Sequence, residues 1–396
     1  MSAKIEFFPV DNGDMTLVRL ADTVSTTILI DVHIRSAADD PNDQTPDVAK
    51  LLRRKLLTDS KGRPYVDAFL LSHPDKDHCS GLVKHFWLGA PNDYPDDDLP
   101  QAEKRIFIRE IWSSPMVFRR ASKNLTLCDD AAAFNKEARR RVKLWEEQGW
   151  AAEGDRILIL GEDENGKTDN LTAILIKETE TIRKINQNNC SGYFSAKLLA
   201  PFPKLDDEEA EKLLTKNHSS VILNIELSAY QWSTTPTRFL TGGDAEVAIW
   251  DRLWAKYKNT PQELSYDLLQ APHHCSWHSL SYDSWSTYRE AAEVSHDARN
   301  ALGQAREGAL IISSSKKILD DDKDPPCIRA KKEYLAILKP VDGGFLCTGD
   351  IKGCETIEII PQNDGSVVRK VAAAVSGAAL IAATSAPRAG TYNGIL

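Results

Sequence analysis

The chain of 396 residues lacks the features that mark several specialised protein classes. Its seven cysteines form no CxxC pair and no regular framework, which indicates reduced thiols rather than a set of disulfides. No apolar run reaches the roughly 20 residues of a membrane span, so a membrane protein is not predicted. No GxSxG sequence is present, which leaves a serine nucleophile without support.

The charge balance is acidic, and the first residues do not resemble a secretion signal. A formal net charge of −9 argues against a protein that coats nucleic acid by bulk electrostatics. A nucleic-acid enzyme is not excluded, because bound divalent cations would supply a strong local positive charge. Short basic runs at 136–143 and 329–332 are compatible with such a substrate, or are solvated helix faces. Without a signal sequence, we expect a cytoplasmic protein.

Three predicted strands end in clusters of histidine or aspartate. The apolar run 68–71 leads into the sequence SHPDKDH at 72–78, the strand at 237–241 leads to Asp244, and the strand at 266–270 leads to His273 and His274. Loops beyond the ends of buried strands commonly present catalytic groups on a rigid scaffold. We therefore expect the three clusters to form one shared site.

The sequence HPDKDH suits a metal site. In an extended loop His73, Asp75 and Asp77 project to the same side, whereas His78 leaves at a different angle. Side chains spread in this way can bind two metal ions that share a bridging hydroxide. The alternative is a polar turn with exposed histidines and helix-capping aspartates. The recurrence of ligand residues at Asp244 and the histidine pair favours the metal site.

Taken in order, six motifs resemble those of metallo-β-lactamase-fold hydrolases, and most closely the ComEC-type branch, the nuclease domain of the bacterial DNA-uptake channel. The motifs are VDNGD (10–14), ILIDVH (28–33), SHPDKDHCSGL (72–82), NHSSVILNIE (217–226), LTGGDAE (240–246) and APHHCS (271–276). The resemblance covers residues 1 to about 362, apart from apparent insertions at 91–150 and 176–215. It implies an α+β fold, a four-layer αββα sandwich, which we assign to residues 1–370. The Ala-rich tail at 371–396 is set apart by its composition.

The resemblance also implies a ligand set and the roles of its members. Two divalent ions would be bound, Mn²⁺, Mg²⁺ or Zn²⁺, and Asp75 in place of the usual histidine makes the site richer in oxygen. Asp244 would be the bridging carboxylate, and His274 would contact the phosphate or protonate the leaving group. Asp77 and His274 are thus the predicted catalytic residues. The predicted metal ligands are His73, Asp75, Asp77, His78, Asp244 and His273.

Other residues near the motifs receive lesser roles. Cys275 replaces a glycine of the family and would alter the turn there, because glycine permits backbone angles that cysteine adopts only at a cost. His218 is expected at the rim of the site or in a structural role, and a structural role is also favoured for His33. Asp14 and Asp31 are expected to shape turns near the site rather than to bind metal.

The predicted reaction is hydrolysis of a phosphodiester, DNA or RNA, by metal-activated water. One alternative is a small-molecule hydrolase that acts on a cyclic nucleotide, a phosphoester or a lactone. Another is a non-catalytic, partner-dependent component that docks through its Ala-rich tail. The placement of the basic run 136–143 helps to decide, because a run that lines the groove leading to His73 would favour a polyanionic substrate.

Overall fold

The computed structural model describes residues 2–370 except 41, 123–125, 205–210, 212–213, 232 and 352. The Ala-rich tail, predicted to be a docking element, lies outside the described residues. Strands and helices are mixed along the chain, in agreement with the predicted α+β class. None of the helices in the described part of the chain has the length and apolar character needed to cross a membrane.

The strands, in chain order, are β1 (Lys4–Phe7), β2 (Thr16–Arg19), β3 (Thr27–Ile30), β4 (Tyr65–Leu70), β5 (Phe86–Trp87), β6 (Ile106–Ser113), β7 (Arg156–Leu160), β8 (Leu175–Ile176), β9 (Thr181–Ile182), β10 (Lys184–Ile185), β11 (Asn188–Asn189), β12 (Phe194–Ala200), β13 (Ile222–Leu227), β14 (Thr237–Leu240), β15 (Tyr266–Gln270), β16 (Ala305–Ser313), β17 (Gly344–Cys347), β18 (Ile357–Pro361) and β19 (Val367–Lys370). The helices are α1 (Val48–Lys55), α2 (Lys76–Cys79), α3 (Leu82–His85), α4 (Pro115–Ser122), α5 (Asp129–Gln148), α6 (Val247–Tyr257), α7 (Trp285–Tyr288), α8 (His296–Leu302) and α9 (Ile328–Leu338).

Two large mixed sheets contain most of the strands. The first has the order β19-β18-β1-β2-β3-β4-β6-β7-β8, with β5 beside β6, and the second has the order β17-β16-β15-β14-β13-β12-β9. Neighbours from β3 to β8 in the first sheet and from β14 to β17 in the second are parallel. Their carboxyl ends therefore lie along one edge of each sheet. The stretch 91–150, expected as an insertion, contributes β6 to the first sheet.

The two sheets pack on each other through a shared apolar core. Phe7 of β1 meets Phe239 of β14 with ring centroids 5.8 Å apart, and Trp112 of β6 lies 6.2 Å from Phe194 of β12. Alternate residues of the second sheet face opposite ways, as a pleated strand requires. The residues in the shared core are Leu223, Phe239, Leu268 and Ile312. Their neighbours along the strands pack instead with α6, α8 and α9, and these are Ile222, Leu240, Leu269 and Ile311.

Helices cover the outer face of the first sheet as well. Phe134 of α5 packs on Phe69 of β4 with a centroid separation of 5.6 Å. Phe69 precedes Leu70, the partner of Trp112 in the neighbouring strand, so its side chain points away from the second sheet. Helix α1 begins after Asp47, whose carboxylate accepts a hydrogen bond from the Lys50 N–H. The two packed sheets therefore have helices on both outer faces, and the carboxyl ends of their parallel strands lie between these helices.

A glycine is required at position 242, two residues after β14, because the backbone there passes close to the backbone of residues 270–272. A Cβ atom at this position would lie 2.8 Å from the Gln270 carbonyl oxygen and 2.9 Å from the Pro272 Cα. We expect Gly242→Ala to lower the free energy of unfolding by about 1–3 kcal/mol, measured by urea denaturation, because rigid backbone must shift. Gly192→Ala is the control, since no described atom lies within 4 Å of its Cβ position. Equal stability of the two variants would contradict this account.

Glu110 of β6 makes the stability of the fold depend on pH. Burial raises the pKa of this carboxyl to about 7, although the Trp112 indole N–H donates a 2.6 Å hydrogen bond to it. Because the folded-state pKa exceeds the unfolded one, the folded state holds the proton more tightly and stability falls as pH rises from about 4.5 to 7. We expect Glu110→Gln to raise the free energy of unfolding by about 1–3 kcal/mol at pH 8 and little at pH 4.5. Urea denaturation at both pH values tests this, and an equal effect at both would contradict it.

Candidate metal centre

The predicted site residues meet where parallel strands of both sheets end. Asp31 follows β3 and His73 follows β4 in the first sheet, while Asp244 follows β14 and the histidine pair at 273–274 follows β15 in the second. The Val221 N–H donates to the Ser72 carbonyl at 2.9 Å and so ties the two sheet edges together. Every residue that the sequence analysis named as a ligand lies in this region.

Helix α2 orients the loop that carries the first cluster. Asp75 precedes the helix, and its carbonyl accepts a hydrogen bond from the His78 N–H at 3.0 Å. The carbonyl of His78 in turn accepts from the Val32 N–H at 2.9 Å, and the Asp77 carbonyl accepts from the Asp14 N–H at 3.1 Å. These backbone bonds place the VDNGD turn and the strand end at Asp31 against the loop.

Two groups of side chains are arranged so that each could hold a metal ion. Within each group the ligand atoms lie within 4.8 Å of one another. Asp244 belongs to both groups: its Oδ1 lies 3.0 Å from His78 Nε2 and its Oδ2 lies 3.3 Å from His73 Nε2. The first group consists of Asp14, His78, Asp244 and His274, and the second of His73, Asp75 and Asp244.

Several buried polar atoms in these groups make no hydrogen bond of acceptable geometry to the described residues, although Asp244 Oδ1 is in close contact with His78 Nε2. They are Asp14 Oδ1, His73 Nε2 and Asp244 Oδ1. Buried polar atoms in native proteins are nearly always satisfied, and an orphaned one costs free energy. Asp14 belongs to the first group, His73 to the second and Asp244 to both, so a divalent cation in each group would satisfy these atoms. The residues present therefore fit a metal ion.

Residues behind the cluster fix the orientation of its imidazoles. Asp31 Oδ2 lies 2.8 Å from His78 Nδ1, and its Oδ1 accepts a hydrogen bond from the Ser72 N–H at 2.7 Å. His274 Nδ1 is 3.1 Å from the Ser314 carbonyl at the end of β16. Both rings thereby point Nε2 at the centre, where the two Nε2 atoms are 3.3 Å apart. Such carboxylate and carbonyl supports are typical of histidines that bind metal through the opposite nitrogen.

The cluster creates a negative potential inside the protein. Burial alone would lower the pKa of His274, but the carboxylates of Asp244, Asp14 and Asp77 raise it to about 10. His78 likewise has its pKa raised well above the usual value, despite its burial, by Asp244 and Asp31. Conversely the pKa of the buried Asp244 is held well below its usual range by the surrounding imidazoles. The site therefore favours positive charge, which a divalent cation carries.

The backbone at the histidine pair adopts a left-handed conformation. His273, His274 and Cys275 have φ values of 51°, 53° and 67°. This conformation costs roughly 1–2 kcal/mol per residue outside glycine, and such strain concentrates at functional sites. Hydrogen bonds hold the turn: His273 N–H donates to Gly243 O at 2.8 Å, and Cys327 N–H donates to Cys275 O at 3.0 Å. Cys275 thus adopts a backbone angle typical of glycine, in contrast to the altered turn expected there.

The structure places the two histidines differently from what the sequence led us to expect, in which His273 was the metal ligand and His274 the substrate contact. His274 is fully buried and belongs to the first ligand group, whereas His273 has a side chain that is 17% exposed and lies 3.7 Å from Asp244. The physical reason is the Ser314 carbonyl, which draws the His274 ring inward. Asp77, 37% exposed and 3.4 Å from His274 Nε2, lies beside the first group rather than in it.

The lesser candidates have varied placements. Asp14 belongs to a ligand group, in contrast to the turn-shaping role expected for it, while Asp31 supports the cluster from behind. His218 lies outside both groups, with Nε2 3.5 Å from a Glu246 oxygen. The thiol of Cys275 is buried 3.9 Å from the Cys327 carbonyl oxygen and is not a ligand atom of either group.

A cavity of about 570 Å³ opens in front of the cluster, and Asp75 and Asp77 form its inner wall. Two of the residues that line this cavity were not predicted from the sequence. Lys216 forms an ion pair with Asp75, and Cys128 brings its sulfur within 3.4 Å of the Cys79 sulfur. Lys216 could have been predicted as a site residue because it directly precedes the NHSS motif. No feature of the sequence indicates that Cys79 and Cys128 lie close together. The lining residues are His33, Pro74, Asp75, Lys76, Asp77, Thr126, Leu127, Cys128 and Lys216.

We expect Asp31→Asn to weaken metal binding by about 10- to 100-fold, because His78 loses the carboxylate that orients it. A competition titration against a coloured chelator measures the change. Asp67→Asn is the matched control: Asp67 is also a buried aspartate that accepts a backbone hydrogen bond, from Thr27, but it lies in β4 away from the cluster. Unchanged affinity in Asp31→Asn, or an equal loss in the control, would contradict the supporting role.

Comparison with known proteins does not assign the chain to a family. No family model matches it, and no curated protein is significantly similar. Among solved structures, a protein of unknown function from Enterococcus faecalis V583 is matched over 88% of each chain with 11% identity and a TM-score of 0.28. A likeness this weak supports no conclusion about fold or function.

Proposed function

We propose that the protein is a divalent-metal-dependent phosphodiesterase, a nuclease, built on the four-layer αββα sandwich of the metallo-β-lactamase fold. The observation that carries the proposal is the pair of ligand groups joined through Asp244. The alternation of core residues in the second sheet and the helices on both outer surfaces support the four-layer assignment. The ordered motifs favour the ComEC-type branch, and a cytoplasmic location is part of the same proposal.

The composition of the two groups supports two ions of the harder type. One group offers two carboxylates and two imidazoles, and the other offers two carboxylates and one imidazole. Oxygen-rich sites suit Mn²⁺ or Mg²⁺ better than a pocket made only of imidazoles, although Zn²⁺ also accepts such ligands. When bound, ions at this position lower the pKa of water to near neutrality and offset charge on phosphoryl oxygens.

The remaining roles belong to residues between the cluster and the cavity. Asp77 faces the cavity and accepts a proton from the attacking water or fixes its orientation. His273, partly exposed beside Asp244, replaces His274 as the residue that contacts the phosphate or protonates the leaving group. Lys76 and Lys216 line the cavity and attract the phosphodiester anion.

A small-molecule phosphodiester is the second candidate. The cavity volume of about 570 Å³ lies within the range typical of sites for small ligands, roughly 300–1,000 Å³. A cyclic nucleotide would fit such a space. The choice between this candidate and a nucleic acid depends on whether the binding surface extends beyond the cavity.

The test is hydrolysis by purified protein supplied with Mn²⁺, Mg²⁺ or Zn²⁺. Substrates are single- and double-stranded DNA, RNA, cyclic dinucleotides and bis(4-nitrophenyl) phosphate. We expect metal-dependent cleavage that stops on chelation and falls at least about 100-fold in Asp77→Ala. Activity that survives exhaustive chelation, or a folded protein that binds no metal, would contradict the proposal and favour a non-catalytic component.

A further inference from the structure

A second cavity, of about 510 Å³, lies between the stretch 91–150, which the family resemblance does not cover, and residues 157–171. It is formed by α4, α5 and the carboxyl ends of β6 and β7. Its floor is apolar and its rim carries charged side chains. The apolar lining residues are Pro115, Phe118, Leu127, Ala138, Val142, Ile157, Ile159 and Leu171, and the charged ones are Arg119, Arg139, Lys143, Glu146, Asp163 and Lys167.

The basic residues of α5 fall into two sets. One set makes ion pairs and hydrogen bonds within the fold, and the other lines this cavity. Arg140 pairs with Glu137 and Asp155, and the buried Arg141 pairs with Glu137 and donates to backbone carbonyls. Arg139 and Lys143 are exposed and line the cavity, and Lys143 makes an exposed ion pair with Glu147 at 3.7 Å. No carboxylate of the described residues lies within 4 Å of the Arg139 guanidinium, which leaves it available for an anion.

The second cavity adjoins the cavity of the metal centre. Leu127 lines both, and its neighbours Thr126 and Cys128 line the one beside Asp75 and Asp77. A ligand that occupies both cavities would therefore pass over Leu127 and place one part at the metal centre and another part against α5. The two cavities are therefore neighbours that share Leu127 as a lining residue.

We propose that the second cavity is a subsite for the nucleotide next to the scissile phosphodiester, with its base on the apolar floor and its phosphate at Arg139 and Lys143. This inference rests on the proposed function. Apolar and aromatic surfaces accept the faces of all bases, and guanidinium and ammonium groups bind the backbone phosphates. Asn135, whose side-chain amide makes no hydrogen bond to described residues, lines the cavity and faces the base as donor and acceptor. The substrate class is thus an oligonucleotide, in preference to a lone cyclic nucleotide.

The experiment compares two charge reversals on the same helix. Arg139→Glu alters the subsite, and Lys136→Glu is the matched control, because Lys136 is also exposed but does not line the cavity. Each variant is assayed with a single-stranded oligonucleotide and with bis(4-nitrophenyl) phosphate, which is too small to span both cavities. We expect Arg139→Glu to raise KM for the oligonucleotide by about 10- to 100-fold and to leave hydrolysis of the small ester unchanged. Lys136→Glu should change neither by more than about threefold.

Fluorescence anisotropy of a labelled oligonucleotide, with a chelator present, separates this inference from the proposed function. If no probe is cleaved but Arg139→Glu still weakens oligonucleotide binding at least tenfold more than Lys136→Glu, the subsite stands and the hydrolase proposal fails. If the wild type cleaves the oligonucleotide and both reversals act equally, or if the wild type does not bind the oligonucleotide, the subsite is overturned.

Discussion

Replacement of Asp244 by asparagine is expected to abolish metal binding at both ligand groups and to reduce hydrolysis on the order of 1000-fold. Asp244 is the only residue shared by the two groups, and its two oxygens lie 3.0 Å from His78 Nε2 and 3.3 Å from His73 Nε2. Asparagine has nearly the same shape but carries no charge and only one acceptor oxygen. It therefore cannot bridge two cations.

The measurement is metal content after equilibration with Mn²⁺ or Zn²⁺ and gel filtration, together with the initial rate of hydrolysis. Asp267→Asn is the control, since Asp267 is equally buried and hydrogen-bonded to Arg238 but lies in β15 outside both groups. Circular dichroism establishes that both variants are folded. An Asp244→Asn protein that keeps the full metal content of the wild type would show that the shared carboxylate is not a ligand.

His274→Ala is expected to weaken metal binding by about 100-fold or more, whereas His273→Ala should weaken it by about tenfold or less. The difference in metal affinity follows from where the two imidazoles lie. His274 is buried, with Nε2 near Asp77, His78 and Asp244, while His273 stands at the edge of the cluster. Isothermal titration with Mn²⁺ measures both affinities, and each alanine variant serves as the control for the other.

The two variants should also differ in kinetics. His273→Ala is expected to lower kcat for a substrate with a poor leaving group while it leaves the small activated ester nearly unaffected, because that ester needs little protonation of its leaving group. His274→Ala should lower the rate for both substrates through loss of metal. A larger loss of metal affinity in His273→Ala would restore the assignment made from the sequence.

The strand ends that form the site could be predicted because their signals are local. Apolar runs before His73, Asp244 and His273 indicated buried strands, and all three strands are present as β4, β14 and β15. Strands β14 and β15 are parallel neighbours in one sheet, β4 is parallel to β3 in the other, and the contact of Val221 with Ser72 joins the two edges, which no single motif specifies. The sequence thus indicated which residues would gather, and the topology determined where.

The roles within the cluster depend on geometry that sequence patterns do not encode. The adjacent residues His273 and His274 are placed differently because of a left-handed turn and the carbonyl of Ser314, directly after β16 and 40 residues beyond His274. Asp14 reaches the cluster because Gly13 and Asp14 are bonded to Ser314 and Asp77. These contacts join segments that are distant in sequence, so local periodicity cannot reveal them.

Some elements were missed or misjudged for other reasons. The sequence pattern predicts one helical region at about 283–305, but this stretch is broken into α7 and α8, and Arg289 between them has a φ of 52°, which interrupts a helix. The apolar pattern at 171–177 predicts a strand, of which only β8 forms. Strand β12 lies in a stretch left unmatched, although Phe194, Ala196 and Leu198 alternate in burial as strand residues do.

The most direct test of the metal centre is anomalous X-ray diffraction from crystals grown with Mn²⁺ and measured at the manganese absorption edge. The account predicts two peaks, one among Asp14, His78, Asp244 and His274 and the other among His73, Asp75 and Asp244. If the protein binds Mn²⁺ in solution but its crystals show manganese peaks elsewhere and none beside Asp244, the proposed metal centre is contradicted.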